Sequence, residues 1–286
     1  MHRADIDEIR ERTYKARDAW WTVLLVDPVA VHLVRFVAPY RWITPNLLSA
    51  LAFVFGLAAA ACFAMQDRWW LVAGALLFHA SFVVDCMAGK IARLNGTGTM
   101  FGVWFDFIFD RLRVVLCTIA LMGGQYARTG DVAWIWLAAA VLGLDLFRYL
   151  NGAQMAKIKA TMSLQLDEAK GTTTVFQAVD DEGESEEPVP AGPARSPYER
   201  VRNALLRHRI RIHLFSGIEF EMTVFVIGPL IGFVFWTSIV AGVLLLLFEA
   251  LLVVRLAQLI RQWKSQMAAA EKKREQVNPE PTPTRA

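Results

Sequence analysis

The stretch Asp85-Cys-Met-Ala-Gly-Lys-Ile-Ala-Arg93, followed by Gly102, Asp106 and Asp110, decides how this chain folds and what it does. It joins two apolar runs, and acidic side chains at such places are costly unless they are paired or take part in chemistry. Asp106 and Asp110 are four residues apart and therefore share one helix face. The glycine-containing residues 94–99 predict a tight turn. We therefore expect two antiparallel neighbouring helices whose carboxylates face each other.

Carboxylates on both sides of such a hairpin suit a hard divalent cation such as Mg²⁺ or Mn²⁺. Two such ions can clamp a pyrophosphate. The small residues at positions 88, 89 and 92 let a nucleotide approach the backbone, and Arg93 can neutralise phosphate charge. The alternative is a set of buried salt bridges with Arg93, Arg111 or Arg113. It stays open for any single aspartate and is disfavoured for all three together.

The composition predicts an all-α, polytopic membrane protein. Of the 286 residues 55% are hydrophobic, and the mean hydropathy is +0.36, too apolar for an ordinary soluble domain. A spanning helix needs about 20 largely apolar residues. Six windows reach roughly that length, near residues 46–65, 69–84, 100–122, 132–149, 217–235 and 238–260. We place the break between the last two at the Trp-Thr step, Trp236 and Thr237.

The basic residues predict the orientation. With a cytoplasmic N-terminus the outer loops contain only Arg68 and Arg128, whereas the inner segments contain many lysines and arginines. This asymmetry predicts a multi-pass protein of the cell inner (cytoplasmic) membrane with both termini and the acidic cluster facing the cytoplasm. The expected surroundings are a lipid bilayer, and we expect no nucleic acid partner.

The chain divides into one membrane domain and its polar segments. We expect interfacial amphipathic helices over residues 1–43, with prolines breaking the helical pattern of residues 6–40. Spans one to four and the acidic cluster occupy residues 44–156. A cytoplasmic loop over residues 157–216 is expected to be disordered at the acidic residues 180–197 and helical over residues 198–214. Spans five and six occupy residues 217–261, and residues 262–286 form a cytoplasmic tail.

Other polar residues lie near the inner ends of the spans. Asp145 and Arg148 are three residues apart, which favours a local ion pair. Glu219 and Glu221 are expected to balance basic neighbours without a catalytic role. An alternative for Arg148 is recognition of a phosphate group together with other arginines, namely Arg113, Arg209 or Arg211.

The acidic cluster resembles the signature of the CDP-alcohol phosphotransferase (CDP-alcohol phosphatidyltransferase) family. That signature has two aspartates three residues apart, then Gly-x-x-Ala-Arg and Gly-x-x-x-Asp-x-x-x-Asp. The run Thr44-Pro-Asn46-Leu-Leu-Ser49 also resembles the entry to the family's first membrane helix. The likeness is strong over residues 43–113. The matching positions are Asp85, Gly89, Ala92, Arg93, Gly102, Asp106 and Asp110, with Ala88 in place of the second aspartate.

The resemblance implies a Mg²⁺-dependent transferase of phospholipid biosynthesis at the cytoplasmic face. A hydroxyl acceptor attacks the phosphorus of a CDP-linked lipid donor, the phosphoalcohol (phosphatidyl) group is transferred, and CMP leaves. It also implies two metal ions, Mg²⁺ or Mn²⁺, and a homodimer. The acceptor stays open between glycerol phosphate, inositol phosphate, serine and another polyol.

The resemblance also implies roles for single residues. Asp85 and Asp106 would bridge the two metal ions. Asp110 would contact one ion and act as the catalytic base toward the acceptor alcohol. The substrate-binding residues would be Gly89, Arg93 and Thr99 at the CDP group, with Asn46 and Ser49 on the cytidine side.

Ala88 departs from the signature at a metal-ligand position. Loss of a carboxylate ligand weakens the binding of Mg²⁺, which requires near-ideal coordination geometry. We expect the activity to fall by roughly a thousandfold. Three explanations stay open: an engineered inactive variant, natural loss of catalysis, or a replacement ligand. A non-catalytic CDP-lipid-binding protein of the same fold is the alternative function. A small transporter is disfavoured because the acids cluster at one face.

Overall fold

The computed structural model describes residues 5–170 and 197–277. Within these ranges the structure is helical, with turns, loops and one isolated bridge between Asp18 and Ile210, and it contains no β-strand. The all-α prediction is confirmed for this part of the chain. The α-helices are α1 (Ile6–Thr13), α2 (Asp27–Val37), α3 (Pro45–Met65), α4 (Arg68–Asn95), α5 (Met100–Thr129), α6 (Ala133–Lys170), α7 (Pro197–Arg207), α8 (Gly217–Met222), α9 (Gly228–Ile231) and α10 (Val234–Val277).

Four of the described helices are long and apolar enough to cross a membrane, judged by length and composition. They are α3, α4, α6 and α10. Helix α5 is 30 residues long, but its first half contains two of the three aspartates of the signature and two arginines. The region of the fifth predicted span is divided between α8 and α9. The six-span count and the interfacial position of the N-terminal helices therefore stay predictions.

Two π-helical turns precede prolines. The turn Thr22–Val26 leads into α2, whose second residue is Pro28, and the turn Thr223–Ile227 leads into α9, whose second residue is Pro229. A proline ring clashes with the carbonyl of the preceding turn of a regular helix, and we attribute its tolerance here to the wider π turn. The predicted break at Pro28 is therefore wrong.

The break before the last helix also differs from the prediction. Trp236 and Thr237 lie inside α10, and the chain turns instead at Gly232, whose φ is 82°. A residue with a side chain would be strained in this left-handed conformation. The N–H of Gly232 donates to the carbonyl of Gly228 at 2.9 Å, which closes the end of α9.

Helices α6 and α10 continue beyond the apolar runs. Helix α6 ends at Lys170, inside the predicted loop, and α10 ends at Val277, inside the predicted tail. After Gly152 and Gly242, respectively, neither helix contains a glycine or proline that would end it. Of the acidic residues 180–197, all but the last lie outside the described residues. The helix predicted over residues 198–214 ends early, at Arg207.

The chain forms two compact units. The first comprises Met1–Asp145 and Val189–Leu246, and the second comprises Leu146–Pro188 and Leu247–Ala286. In the first unit α3 packs against both α4 and α5 around buried apolar side chains, which include Phe63, Phe78, Leu121, Met122 and Phe225. In the second unit Glu249 pairs with Arg148 at 3.4 Å and accepts a hydrogen bond from Asn151 at 2.5 Å.

Candidate active site

The turn between α4 and α5 forms because the sequence ends one helix and begins the next within a few residues. Gly96 follows α4 with φ 63°, and its N–H donates to the carbonyl of Ala92. Thr99 caps α5, and its hydroxyl oxygen accepts from the N–H of Gly102 at 3.0 Å. The chain therefore reverses direction between the two signature helices, both of which pack against α3.

Asp85 on α4 and Asp106 on α5 meet across this hairpin. Their carboxyl groups are close enough for the charge of each to affect the other. The hydroxyl group of Ser49 donates to Oδ1 of Asp106 at 2.5 Å. Three helices therefore converge on Asp106, because Ser49 lies in the first turns of α3.

Asp110 lies one turn further along α5 and contacts two guanidinium groups. Arg111 and Arg113 each donate to its carboxylate. Arg113 is 2% exposed and also donates to the hydroxyl of Ser81 at 3.1 Å. The salt-bridge alternative therefore applies to Asp110.

Two further carboxylates complete a buried ionic network with Asp110. Arg111 donates to both oxygens of Asp145, at 2.7 and 2.6 Å, and to Glu221 at 2.9 Å. Glu221 was expected to have no catalytic role, and it is 110 positions from Arg111, so no local sequence pattern indicates the contact.

The site as a whole has an excess of acidic groups. It contains five carboxyl groups (Asp85, Asp106, Asp110, Asp145 and Glu221) and two guanidinium groups (Arg111 and Arg113). Buried carboxylates without compensating charge are costly. Such an excess favours a cation.

The substrate-binding residues of the prediction lie around the same helix ends. A side-chain carbon at Gly102 would lie 2.8 Å from Oδ1 of Asn46, so the glycine allows α3 to approach α5. The guanidinium of Arg93 lies beside Gly89, 3.5 Å from where a side-chain carbon would stand. Nε of Arg93 donates to the carbonyl of Thr13 at 2.9 Å. Thr99 is exposed at the helix start.

The N-terminal segment contacts the signature helix through a second buried ion pair. Nζ of Lys90 lies 2.7 Å from Oδ1 of Asp27, and both side chains are almost fully buried. Arg209 pairs with the other oxygen of Asp27 at 3.2 Å and stacks over the ring of Tyr14. Burial, and after it the charge of Asp27, raises the pKa of Tyr14. No local sequence pattern predicts this cluster, because Asp27, Lys90 and Arg209 are far apart in the chain.

The donor chemistry fits a divalent cation, but the ligand set for two ions is incomplete. Asp85 and Asp106 offer oxygen atoms, which Mg²⁺ and Mn²⁺ prefer. Ala88 is 2% exposed and offers none. Within residues 5–170 and 197–277, no three His, Cys, Asp or Glu side chains are grouped as a metal site.

The fold and the site together define a helical membrane protein with an acidic centre at one end of its apolar helices. Residues 42–179 match the model of the CDP-alcohol phosphatidyltransferase family, and this part of the chain is a CDP-alcohol phosphatidyltransferase domain. A comparison with curated proteins gave no match. Members of this family bind CDP-alcohol donors and alcohol acceptors in lipid bilayers and generally use divalent metal ions.

Proposed function

We propose that this chain transfers a phosphatidyl group from a CDP-linked lipid to a hydroxyl acceptor and releases CMP. The reaction depends on Mg²⁺ or Mn²⁺ and takes place at the cytoplasmic face of the inner membrane. The observation that supports this most is the convergence of Ser49, Asp85 and Asp106 from three helices, within a domain of the matching family.

The roles of the residues follow from their positions. Asp85 and Asp106 hold the cation, which neutralises pyrophosphate charge when it is bound. Ser49 orients Asp106 through its hydrogen bond. Asp110 accepts the proton of the acceptor hydroxyl, and Arg111 and Arg113 orient its carboxylate.

The donor nucleotide is held at the start of α5 and the end of α4. Gly89 and Arg93 bind the CDP phosphates, since the guanidinium already lies beside the glycine. Thr99 lies at the same end of α5, and Asn46 contributes on the cytidine side together with Ser49. By resemblance the protein is a homodimer that uses two ions.

Ala88 lowers the rate of this reaction because it removes one carboxylate from the cation site. The test compares CMP release from CDP-diacylglycerol by the unchanged chain and by Ala88→Asp, with Mg²⁺ and a panel of hydroxyl acceptors. We expect a gain of about a thousandfold in the Asp variant. Ala88→Asn is the matched control, since it adds a similar volume without the charge and should give a much smaller gain.

A single set of measurements would contradict the metal-ligand interpretation. Because Ala88 is buried, Ala88→Asp should be less stable than the unchanged chain without Mg²⁺ and regain stability when Mg²⁺ is added. No gain in CMP release together with no effect of Mg²⁺ on stability would exclude a cation ligand at this position.

The second candidate is a non-catalytic CDP-lipid-binding protein. It is favoured by the missing ligand at Ala88 and by the pairing of Asp110 with two arginines, which lowers its ability to accept a proton. Binding of CDP-diacylglycerol without CMP formation at high Mg²⁺, unchanged in Ala88→Asp, would select it over the transferase.

A further inference from the structure

A cavity of about 310 Å³ lies at the opposite end of the signature helices. Its walls come from the start of α4, the end of α5 and the starts of α6 and α10. On α4, Arg68 at the cavity precedes Asp85 by 17 positions, a helical rise of about 25 Å. The cavity is therefore separate from the acidic centre, and nothing in the proposed function uses it.

The cavity collects positive charge. Arg68 and Arg128, the only basic residues of the predicted outer loops, both line it. Among the described residues no carboxylate lies within 4.0 Å of either guanidinium. Basic residues are depleted on this side of membrane proteins, so their concentration at one cavity indicates a function.

Both arginines are exposed and keep N–H donors that no described residue accepts from. Arg68 donates from Nη1 to the carbonyl of Pro229 at 2.6 Å and from Nη2 to Leu230, and Arg128 donates from Nη2 to Gln125 at 2.9 Å. A guanidinium group has five N–H donors. The remaining donors and the two positive charges suit a phosphate group.

Gln66 has an acceptor to which no described residue donates. The residue is 8% exposed and lines the cavity, and its Nε2 donates to the carbonyls of Phe63 at 2.5 Å and Leu121 at 3.0 Å. In this orientation Oε1 is buried without a hydrogen-bond partner among the described residues. Its φ of 58° is uncommon for a residue with a side chain. When the amide turns toward the cavity, Oε1 can accept a hydrogen bond from a ligand.

The remaining wall is aromatic. Trp134 and Phe235 pack edge to face with 5.2 Å between their ring centres, and Phe233 and Trp236 lie beside them. Aromatic residues of this type lie at the headgroup level of membranes. The volume is at the lower end of the range of about 300–1,000 Å³ for small-molecule sites, which suits a headgroup rather than a whole lipid.

We propose that this cavity binds a phosphate-bearing headgroup with a free hydroxyl group, at the membrane surface opposite the acidic centre. Arg68 and Arg128 bind the phosphate, and the amide of Gln66 turns toward the cavity so that Oε1 accepts from the hydroxyl. A purely structural role for Arg68, which closes the end of α9, accounts for neither the charge of Arg128 nor the unpaired amide oxygen.

The test measures ligand binding to the purified full chain in non-ionic detergent, by calorimetry and by thermal stabilisation. The ligands are short-chain phosphatidylglycerol, short-chain phosphatidylcholine, which has no hydroxyl in its headgroup, and glycerol phosphate. Arg128→Gln is the main variant because Arg68 and its carbonyl partners remain. Arg261→Gln is the matched control, an exposed arginine of α10 outside the cavity.

We expect phosphatidylglycerol to bind the unchanged chain and the control equally. Binding to Arg128→Gln should be at least about tenfold weaker, since one charge-assisted contact is lost. Arg128→Lys keeps the charge but loses the planar guanidinium group, and should bind phosphatidylglycerol roughly three- to tenfold more weakly. It gives a second measurement if the glutamine variant does not fold.

The ligands separate the possible sources of the headgroup. If phosphatidylglycerol binds and glycerol phosphate does not, the natural ligand is a lipid. If both bind equally, the natural ligand is a soluble phosphate ester. Either outcome supports the site. The proposal is overturned if both Arg128 variants bind like the unchanged chain, or if phosphatidylcholine binds as tightly as phosphatidylglycerol. Neither readout involves CMP release, so failure here leaves the proposed function untouched.

Discussion

Ser49 shows how one hydroxyl group can determine the geometry of a carboxylate pair. It donates to Asp106 at 2.5 Å and lies four residues after Pro45, whose carbonyl it also approaches. This hydrogen bond restrains the orientation of the Asp106 carboxyl group. Partners of this kind, which contact a metal ligand and not the metal, typically change metal affinity or activity by 10–100-fold.

We predict that Ser49→Ala lowers CMP release by about tenfold at limiting Mg²⁺, because Asp106 loses its orienting hydrogen bond. The unfolding free energy should fall by only about 1 kcal/mol, the net worth of one hydrogen bond. The measurement is a Mg²⁺ titration of activity. Ser163→Ala, at an exposed site of α6, is the matched control. Equal Mg²⁺ dependence of the two variants would contradict an orienting role for Ser49.

At the scale of the helices, Gly56 determines how closely α3 approaches α5. A side-chain carbon at this position would lie 2.5 Å from Cγ of Arg113, so the glycine makes room for the stem of the arginine. That stem leads to the guanidinium that contacts Asp110 and Ser81. Packing of α3 and orientation of the proposed base are therefore coupled.

We predict that Gly56→Ala destabilises the protein by about 1–3 kcal/mol, the usual cost of overpacking a core. CMP release should fall as well, because Arg113 moves away from Asp110. Gly123→Ala, on the same helix as Arg113 and with nothing within 4 Å of the added carbon, is the control and should be neutral or slightly stabilising. Thermal unfolding in detergent tests both variants, and equal melting temperatures would refute the close approach.

The buried ions join three helices. Arg111 of α5 binds Asp145 of α6 and Glu221 of α8, and these side chains are at most 9% exposed. We predict that Arg111→Met lowers the unfolding free energy by about 3–5 kcal/mol, because it leaves buried carboxylates without a partner. Arg12→Met, which breaks an exposed pair with Glu8, should leave the melting temperature unchanged. Similar stabilities of the two variants would exclude an important contribution from the network.

The sequence predicts those elements of the site that depend on local spacing. The turn at residues 94–99 and the spacing of Asp85, Asp106 and Asp110 place two carboxylates together, because helix periodicity and a short connection leave little freedom. Glu221 illustrates the limit. Its contact with Arg111 depends on how α8 packs, which no local pattern encodes.

Helix ends were predicted less well for a related reason. Gly232 is a residue type that commonly ends a helix, yet the apolar run continues through it. Hydropathy alone therefore placed the predicted helix break at Trp236. The π turns before Pro28 and Pro229 are similarly invisible to hydropathy. Polar residues after the apolar runs predicted a loop, whereas helix propensity continued α6 to Lys170.

At the scale of the whole molecule, Asp27 connects segments that are far apart in the chain. It pairs with Lys90 of the signature helix and with Arg209, which follows α7. Arg93 is held by the carbonyl of Thr13 on the same side. The N-terminal segment is thus part of the site's support, although its composition alone predicted only interfacial amphipathic helices.

The contact of the N-terminal segment with α4 and with the residues after α7, held by Asp27, is called the junction below. We predict that Asp27→Asn destabilises this junction more than the remaining helices. Lys90 and Arg209 would lose their carboxylate, and removal of one partner from a buried pair costs about 3–5 kcal/mol. Hydrogen exchange should therefore accelerate in residues 6–37 and 208–213, while residues 234–246 keep their protection. Asp7→Asn, in an exposed pair with Arg10, is the control and should exchange like the unchanged chain. Uniform acceleration over all these residues would show that the junction unfolds only with the rest of the molecule, and unchanged exchange would show that Asp27 does not hold it.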